Sequence, residues 1–310
     1  MHIRKTALLA LPVLAATLAP RLAPAQVLSL RPSLQVGDQF ELELIRSRED
    51  AARPQSNGKS RTVIHVAVLE AGAKGFLLEW RQGATSYNNP DIVKNPVAAA
   101  AANAFKDMRL EVILGPNGNF TGLRNQEEVT AKLQSALDSM LSTLVPRVEN
   151  PQERKTAEAI VRRLMSPQIL LSTAASDVQT YFGVYGLSVS KGKPVENIVQ
   201  QTSPLGPGAI PATFRLTLET LDAHQATLTS TTSHDPRVLA ELTKQLLAKA
   251  PPGSVSNPPP TLEMSDLGRY VYNRAFGLMN EVNIARRVTV GPGTARIDGR
   301  QIRLLTRPTR

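Results

Sequence analysis

Hydrophobic and polar positions alternate along much of the chain. After a turn at Gly37-Asp38, Phe40, Leu42 and Leu44 fall on one side and Glu41 and Glu43 on the other, the period of a half-buried strand over Leu34 to Arg46. Ser47 to Ser60 is polar, with Pro54, Asn57 and Gly58, and reads as a loop. Val63, Ile64, Val66 and Val68 mark a second strand within Arg61 to Glu70. Phe76, Leu78 and Trp80 mark a third within Gly75 to Arg81. The connection Ala71 to Lys74 is too short for a crossover, so these strands are expected to form an antiparallel meander. Met108 to Leu114 and Asn119 to Leu123 flank Gly115-Pro116-Asn117-Gly118, a hairpin signal.

The period then changes. Val129, Leu133, Ala136, Leu137, Met140, Leu141 and Leu144 recur at spacings of three and four, one apolar face of a helix. Asn125 is placed to cap it, Glu128 to close the capping box, and Pro146 to stop it. A second helix is expected from about Gln152 to Met165. A third should open at Ser166-Pro167, with Leu170, Leu171, Ala174, Val178 and Tyr181 on one side. Alternation resumes at Val195 to Gln201, passes a Pro–Gly loop over Ser203 to Pro211, and continues through Thr213 to Leu221 and Gln225 to Thr232. Asp235-Pro236 caps a helix with Val238, Leu239, Leu242 and Leu246 inward, ending near Ala250, and Pro251 to Pro260 forms a proline-rich loop or hinge. Strands follow at Leu262 to Arg274, Gly277 to Val290, Ala295 to Ile297 and Gln301 to Leu305. Asp298-Gly299 carries the signature of a tight hairpin between the last two.

This pattern predicts an α+β fold: an antiparallel, curved sheet with helices packed on one face. The order of elements also suggests two similar halves, residues 26–185 and 186–310, which could form one continuous domain. Gly37-Asp38 would correspond to Gly192-Lys193, and the Val63 to Trp80 hairpin to Thr213 to Leu228. Leu110 to Leu123 would correspond to Arg269 to Leu278.

Residues 1–25 follow a different logic. His2, Arg4 and Lys5 are followed by an apolar run from Thr6 to Ala19 and by Ala23-Pro24-Ala25, the three-part build of a signal peptide. The expected address is the periplasm or the exterior, which excludes chemistry that depends on cytoplasmic nucleotides. The run is shorter than the roughly 20 apolar residues of a membrane span. The next best candidate, Val97 to Phe105, is mostly alanine, so the processed chain is not expected to be transmembrane. Gln26 stands where a lipoprotein would carry cysteine, and the chain has no cysteine at all, so neither acylation there nor a disulfide framework is open to it. The net charge is +10, and about +7 without Arg4, Lys5 and Arg21. That balance permits an anionic envelope partner. The bases are dispersed among acids except at the C-terminus, where Arg296, Arg300, Arg303, Arg307 and Arg310 outnumber the single Asp298. Those arginines read as a solvated strand face and tail.

Catalytic signatures are thin. Gly58-Lys59-Ser60 has the tail of a phosphate-cradling loop, but Arg53 stands where the first glycine belongs. Ser188-Val189-Ser190-Lys191 has the Ser-x-x-Lys spacing of penicillin-binding enzymes, without a helix or the partner motifs, and Ser56 to Lys59 repeats it in a loop. His65, His224 and His234 lack metal-ligand spacing, so no metal, cofactor or catalytic residue is assigned. A hydrolase would need groups such as Asp222, His224, His234 and Asp235 to converge with a serine in space. Aromatic residues make up only 4% of the chain, against the interleaving of bases and stacking rings that nucleic-acid binding uses, and no nucleic acid is expected as partner. The clusters Tyr181, Phe182, Tyr185 and Tyr270, Tyr272, Phe276 fit core packing, or else an apolar wall for a ligand. Asn119-Phe120-Thr121 is a glycosylation sequon in form alone.

Through Val36-Gly37-Asp38-Gln39-Phe40, Leu110-Glu111-Val112 to Gly118-Asn119-Phe120 and the strands after Gly268-Arg269, the layout resembles a loose group of secreted bacterial proteins of unassigned function. A remoter similarity is to periplasmic lipoprotein carriers, whose curved antiparallel sheets wrap helices and hold acyl chains. The resemblance is one of layout and transfers no functional residue. The leader, the sheet content, the positive charge and the thin catalytic signatures together lead to the expectation of a non-catalytic binding protein for an apolar or amphipathic envelope ligand, such as a lipid, held between sheet and helices. The alternatives are a periplasmic hydrolase with a site dispersed in sequence and a structural or assembly partner in the envelope.

Overall fold

A computed structural model describes residues 26–90, 94, 105–144, 150–202, 209–247, 261–291 and 295–309. The leader 1–25, most of the alanine-rich run, the Pro–Gly loop over 203–208 and the proline-rich segment 251–260 lie outside the described residues.

The strands are β1 (Val27–Ser29), β2 (Gln39–Asp50), β3 (Gly58–Gly72), β4 (Gly75–Tyr87), β5 (Arg109–Leu114), β6 (Phe120–Leu123), β7 (Ser188–Ser190), β8 (Val195–Thr202), β9 (Ala209–Leu221), β10 (Gln225–His234), β11 (Leu262–Asn273), β12 (Leu278–Val290) and β13 (Ala295–Leu304). The helices are α1 (Gln126–Leu144), α2 (Pro151–Leu164), α3 (Pro167–Phe182) and α4 (Pro236–Leu247). Eleven strands form one antiparallel sheet in the order β6-β5-β4-β3-β2-β13-β12-β11-β10-β9-β8, and β1 pairs with β7 in a second sheet of two. The class expected from the sequence, α+β with an antiparallel sheet, is the class of the structure. The sheet runs unbroken past Tyr185, because β13 pairs with β2 from Arg296↔Asp50 to Leu304↔Leu42.

Alternation sets which face is buried. Phe40, Leu42 and Leu44 of β2 share the inward face with Ile64, Val66 and Val68 of β3 and with Leu78 and Trp80 of β4. Leu110, Val112 and Leu114 of β5 extend that face at one end of the sheet, and Tyr270, Leu228 and Leu216 at the other. Helix α1 buries Val129, Leu133, Leu137 and Leu141, every fourth residue, and α3 buries Ala174, Ala175, Val178, Tyr181 and Phe182. One continuous core joins the inward strand residues to Val129, Leu133, Tyr181 and Phe182. A smaller core holds α4 by Leu239 against Ile210, Leu262, Met264 and Val288. Burying each large side chain stabilises the fold by roughly 1.5–3 kcal/mol.

Three expectations change on this scaffold. The polar stretch after β2 is not all loop: β2 continues to Asp50 and β3 begins at Gly58, because Arg46, Ser47 and Arg48 pair with Ser60, Lys59 and Gly58. Asp298-Gly299 is no hairpin turn; it lies inside β13, between Arg286-Ala285 of β12 and Arg48-Ser47 of β2. The small residues serve close packing there, since a Cβ on Gly299 would sit 2.3 Å from Ser47 Oγ. Asn125 stands at the start of α1 as expected, its carbonyl accepting the Val129 amide at 3.1 Å and its Nδ2 donating to Glu128 at 3.3 Å, but its Oδ1 accepts the Glu111 amide at 2.9 Å and Nδ2 also donates to the Arg109 carbonyl at 3.0 Å, so the side chain stitches the helix to the sheet.

The sheet is curled. Gln201 on β8 donates to Asp266 on β11 at 2.9 Å, although β9 and β10 lie between them. In a flat sheet those strands would stand about 14 Å apart. Bringing the side chains together therefore requires β8 to fold over the inward face.

Candidate functional site

The residues singled out in the sequence do not assemble. His65 is exposed on the outward face of β3 and lies 3.0 Å from Glu41. His224 sits in the β9–β10 turn, where Asp222 accepts the His224 and Gln225 amides at 2.7 and 2.8 Å. His234 ends β10, buried, with Nδ1 3.2 Å from the Met264 carbonyl. Asp235 accepts the Arg237 amide at 2.8 Å at the start of α4. The pairs Asp222–His224 and His234–Asp235 thus occupy opposite ends of β10, about 30 Å apart at strand rise. Ser188 and Ser190 belong to β7 and Lys191 to the turn after it. That geometry lacks the single helical turn on which a serine–lysine pair depends. Gly58, Lys59 and Ser60 are strand residues of β3, with no helix N-terminus behind them. Among the described residues, no group of three or more His, Cys, Asp or Glu side chains is placed to hold a metal ion.

The aromatic clusters are core. Trp80, Tyr181 and Phe182 are fully buried, with ring centroids 6.3 Å apart for Trp80–Tyr181, 6.5 Å for Trp80–Phe182 and 5.0 Å for Tyr181–Phe182. Tyr185 continues the stack towards Tyr272 at 6.3 Å. These rings belong to the continuous core between the sheet and α3.

The inward face has a second zone, and here the sequence reading missed what the structure assembles. The phase of Phe40, Leu42 and Leu44 continues along β2 into Arg46, Arg48 and Asp50. The phase of Ile302 continues along β13 into Arg300, Asp298 and Arg296. Val282 and Ile284 lead along β12 to Arg286, and Tyr270 and Gly268 along β11 to Asp266. Arg48, Asp298, Arg286 and Asp266 are direct neighbours on four successive strands, so charge alternates across the sheet. Beside that row, Arg46 and Arg300 stand opposite each other.

The pairing in this zone is uneven. Arg286 grips Asp266 with two bonds, Nε to Oδ1 at 2.8 Å and Nη2 to Oδ2 at 2.7 Å, and Gln201 completes that group. The Asp266 hydrogen bond raises the Arg286 pKa above its ordinary value despite burial. Asp298 serves two arginines, Arg48 through Oδ1 and Arg296 through Oδ2, each with its Nε 2.8 Å away. Asp177, projecting from α3 and buried, also serves two: it accepts from Arg46 and lies 3.3 Å from Arg300 Nε. Arg300 further donates to the Ser176 carbonyl at 3.1 Å and to Thr180 Oγ1 at 2.7 Å. Burial lowers the Arg300 pKa; Asp177 works against the shift, and Arg46 and Arg286 add to it. Asp50, opposite Arg296, is engaged by Arg53 and by the Ala52 amide. Five inward arginines therefore share three carboxylates. Arg296 and Arg300, expected on a solvated face, belong to this inward zone, while Arg303 points outward to Glu43 and Arg307 lies over the Phe276 ring at 5.6 Å.

The signal was present in the strand phase. Arg46 and Arg48 keep the register of three buried apolar residues, and a charge in an inward register is the informative exception.

The outward face carries its own ladder of ion pairs. Glu43 is flanked by Arg61 and Arg303, and Arg109 lies 2.7 Å from Glu79 and 3.0 Å from Glu111. Where the C-terminal residues Thr306 and Thr309 cross β2, a shallow hollow of about 490 Å³ is lined by Glu41, His65, Glu79 and Arg81. Among the described residues, no helix is long and apolar enough to cross a membrane.

No family model matches the chain, and no curated protein matches it. A solved structure concerning lipid–protein interactions in lipovitellin is similar to it at a TM-score of 0.43 and 8% identity, over 88% of this chain and 25% of that one. The chain thus spans about a quarter of the length of that protein. A likeness of this size carries no argument about fold or function.

Proposed function

We propose that this chain is a secreted or periplasmic, non-catalytic binding protein whose ligand is an amphipathic envelope component held on the inward face of the curled sheet. The observation that carries the reading is the division of that face. One zone is apolar and filled by α1, α3 and the Trp80–Tyr181–Phe182 stack. The adjoining zone is charged, and its arginines keep substantial access to solvent: the Arg46 and Arg300 side chains are 39% and 30% exposed. An ordinary two-layer fold places apolar residues in such a register, because burying charge there costs desolvation. An inward row of arginines is the surface that an anionic head would meet. The secretory address rests on the basic start and apolar run of the leader, and the absence of catalysis on the separation of the Asp222–His224 and His234–Asp235 pairs. In solvent extracts of protein purified without detergent, mass spectrometry should find a stoichiometric amphiphile. Extracts free of any such molecule would count against the reading.

A second reading is favoured by one observation. Strand β8 is an edge of the large sheet, and Ile198 on it is exposed. An unpaired edge with an apolar side chain is a template for strand addition, which suits an assembly partner in the envelope. Light scattering behind size-exclusion chromatography separates the two: an assembly role gives a stable oligomer or complex that Ile198→Lys dissolves, whereas a ligand-binding role leaves the mass unchanged.

A further inference from the structure

We propose that Arg46, Arg48, Arg296 and Arg300 form a subsite for a phosphate-type oxyanion, with Asp177 and Asp298 as the internal anions it supplements. The inference rests on the reading of the inward face as a binding surface and names the chemistry it takes.

Charge count is the first argument. Arg286 and Asp266 are a closed, bidentate pair and leave nothing over. The remaining four arginines have only two carboxylates, Asp177 and Asp298, each divided between two guanidinium groups. Asp50 and Arg53 beside them form a separate pair. The four-arginine group therefore carries two positive charges in excess, on the concave side of the sheet.

Donor count is the second. A guanidinium has five N–H donors in a planar fork, which matches the oxygens of carboxylate and phosphate groups. Among the described residues, Arg46 commits only Nη2, to Asp177, and Arg48 only Nε, to Asp298. Both forks hold further N–H groups suited to a tetrahedral oxyanion.

Geometry is the third. Arg46 and Arg300 are direct cross-strand partners, and Arg48 lies two residues along the same face of β2. Neighbouring positions of that kind are about 5 Å apart across the sheet and about 7 Å along it. Over such spacings the long side chains of three arginines can reach one phosphoryl group between them. Like charges directly opposite each other are destabilising. The Arg46–Arg300 pair is held together by the buried Asp177 and is relieved further by an added anion. Surface lysines would attract an anion as point charges; an inward row of arginines adds bidentate, charge-assisted hydrogen bonds.

The oxyanion could arrive as a phospholipid headgroup or as a free phosphate, so the test has two probes. One is flotation with vesicles of phosphatidylglycerol in phosphatidylcholine, with pure phosphatidylcholine as control. The other is calorimetric titration with inorganic phosphate. Wild-type protein should bind at least one of them. Vesicle binding alone assigns a lipid headgroup, and phosphate binding assigns a free anion. Arg48→Gln should weaken binding at least fivefold, and Arg46→Gln likewise. Asp177→Asn, which removes the competing carboxylate, should tighten it several-fold. Arg109→Gln on the outward face should change it less than twofold. If Arg46→Gln or Asp177→Asn fails to fold, Arg48→Gln decides, because Arg296 still neutralises Asp298. Failure of the wild-type protein to bind either probe overturns the proposal, and so does binding that Arg48→Gln leaves intact. If an amphiphile is nevertheless extracted from the native protein, and in undiminished amount from Arg48→Gln, the binding function stands and only this subsite falls.

Discussion

The hydroxyl of Tyr185 accepts the Met279 amide at 3.0 Å and donates to the Gly277 carbonyl, also at 3.0 Å. One side chain just beyond α3 thus satisfies two backbone groups where β12 begins, in a buried environment that pushes the Tyr185 pKa well up. Tyr181 does half of this, donating to the Met279 carbonyl at 2.9 Å. Tyr185→Phe strands a donor and an acceptor away from water, which costs about 2 kcal/mol. Tyr181→Phe should cost about half as much. Urea titration would read both as a lower midpoint with an unchanged slope; equal, negligible losses would refute the role given to Tyr185.

Gly277 is the turn residue beside that hydroxyl. Its φ is +65°, and a Cβ there would lie 2.4 Å from the Arg31 carbonyl oxygen and 2.5 Å from the Ser33 nitrogen. Left-handed backbone alone costs a side chain about 1–2 kcal/mol, and here the obstacle is main chain that cannot rotate aside. Gly277→Ala should lower the thermal midpoint by several degrees, whereas Ala at Gly122, with nothing within 4 Å of its Cβ position, should be milder. Equal shifts in calorimetry would contradict the packing of residues 31–33 against this turn.

Acid should weaken the outward ladder. Burial by itself raises the Glu43 pKa, but Arg303 and Arg61 outweigh it and hold the carboxyl below its ordinary value. The folded value lies below the unfolded one, so the unfolded chain takes up protons first as pH falls. The stabilisation is complete above the unfolded carboxylate value, about 4.3, and is lost as pH drops through the folded one. A thermal-midpoint series from pH 7 to pH 3 should fall steeply at its acid end. It should fall less steeply for Glu43→Gln, and identical slopes would remove Glu43 from the account.

Trp80 is the chain's one tryptophan and is fully buried against Tyr181 and Phe182. Its emission should be blue-shifted and poorly quenched by acrylamide. If a ligand occupies only the charged zone, emission stays unchanged on binding. A red shift or fresh quenching would mean that α3 lifts from the sheet and that the apolar zone opens.

Strand phase was legible because a half-buried sheet imposes it: Phe40, Leu42 and Leu44 could face only one way. Helices α1, α3 and α4 were legible from apolar spacing and, for the latter two, from proline at the first turn. Asp298-Gly299 carries a local turn signal, whereas the pairing of Asp298 with Arg48 and the fit of Gly299 against Ser47 are tertiary. The end of β2 is not legible because Ser47 to Asp50 are polar, and a polar strand end looks like loop in sequence. The charged zone was not legible because its residues come from four strands, with partners as distant in sequence as Arg46 and Arg300, and gain meaning only when the sheet sets them in rows.

Hydrogen–deuterium exchange with and without dihexanoyl phosphatidylglycerol tests the central claim most directly. The account predicts added protection in β2 around residues 46–50 and in β13 around residues 296–300, with α3 no less protected than before. Protection confined to the outward hollow at Glu41 and His65, or to the β8 edge, would contradict it.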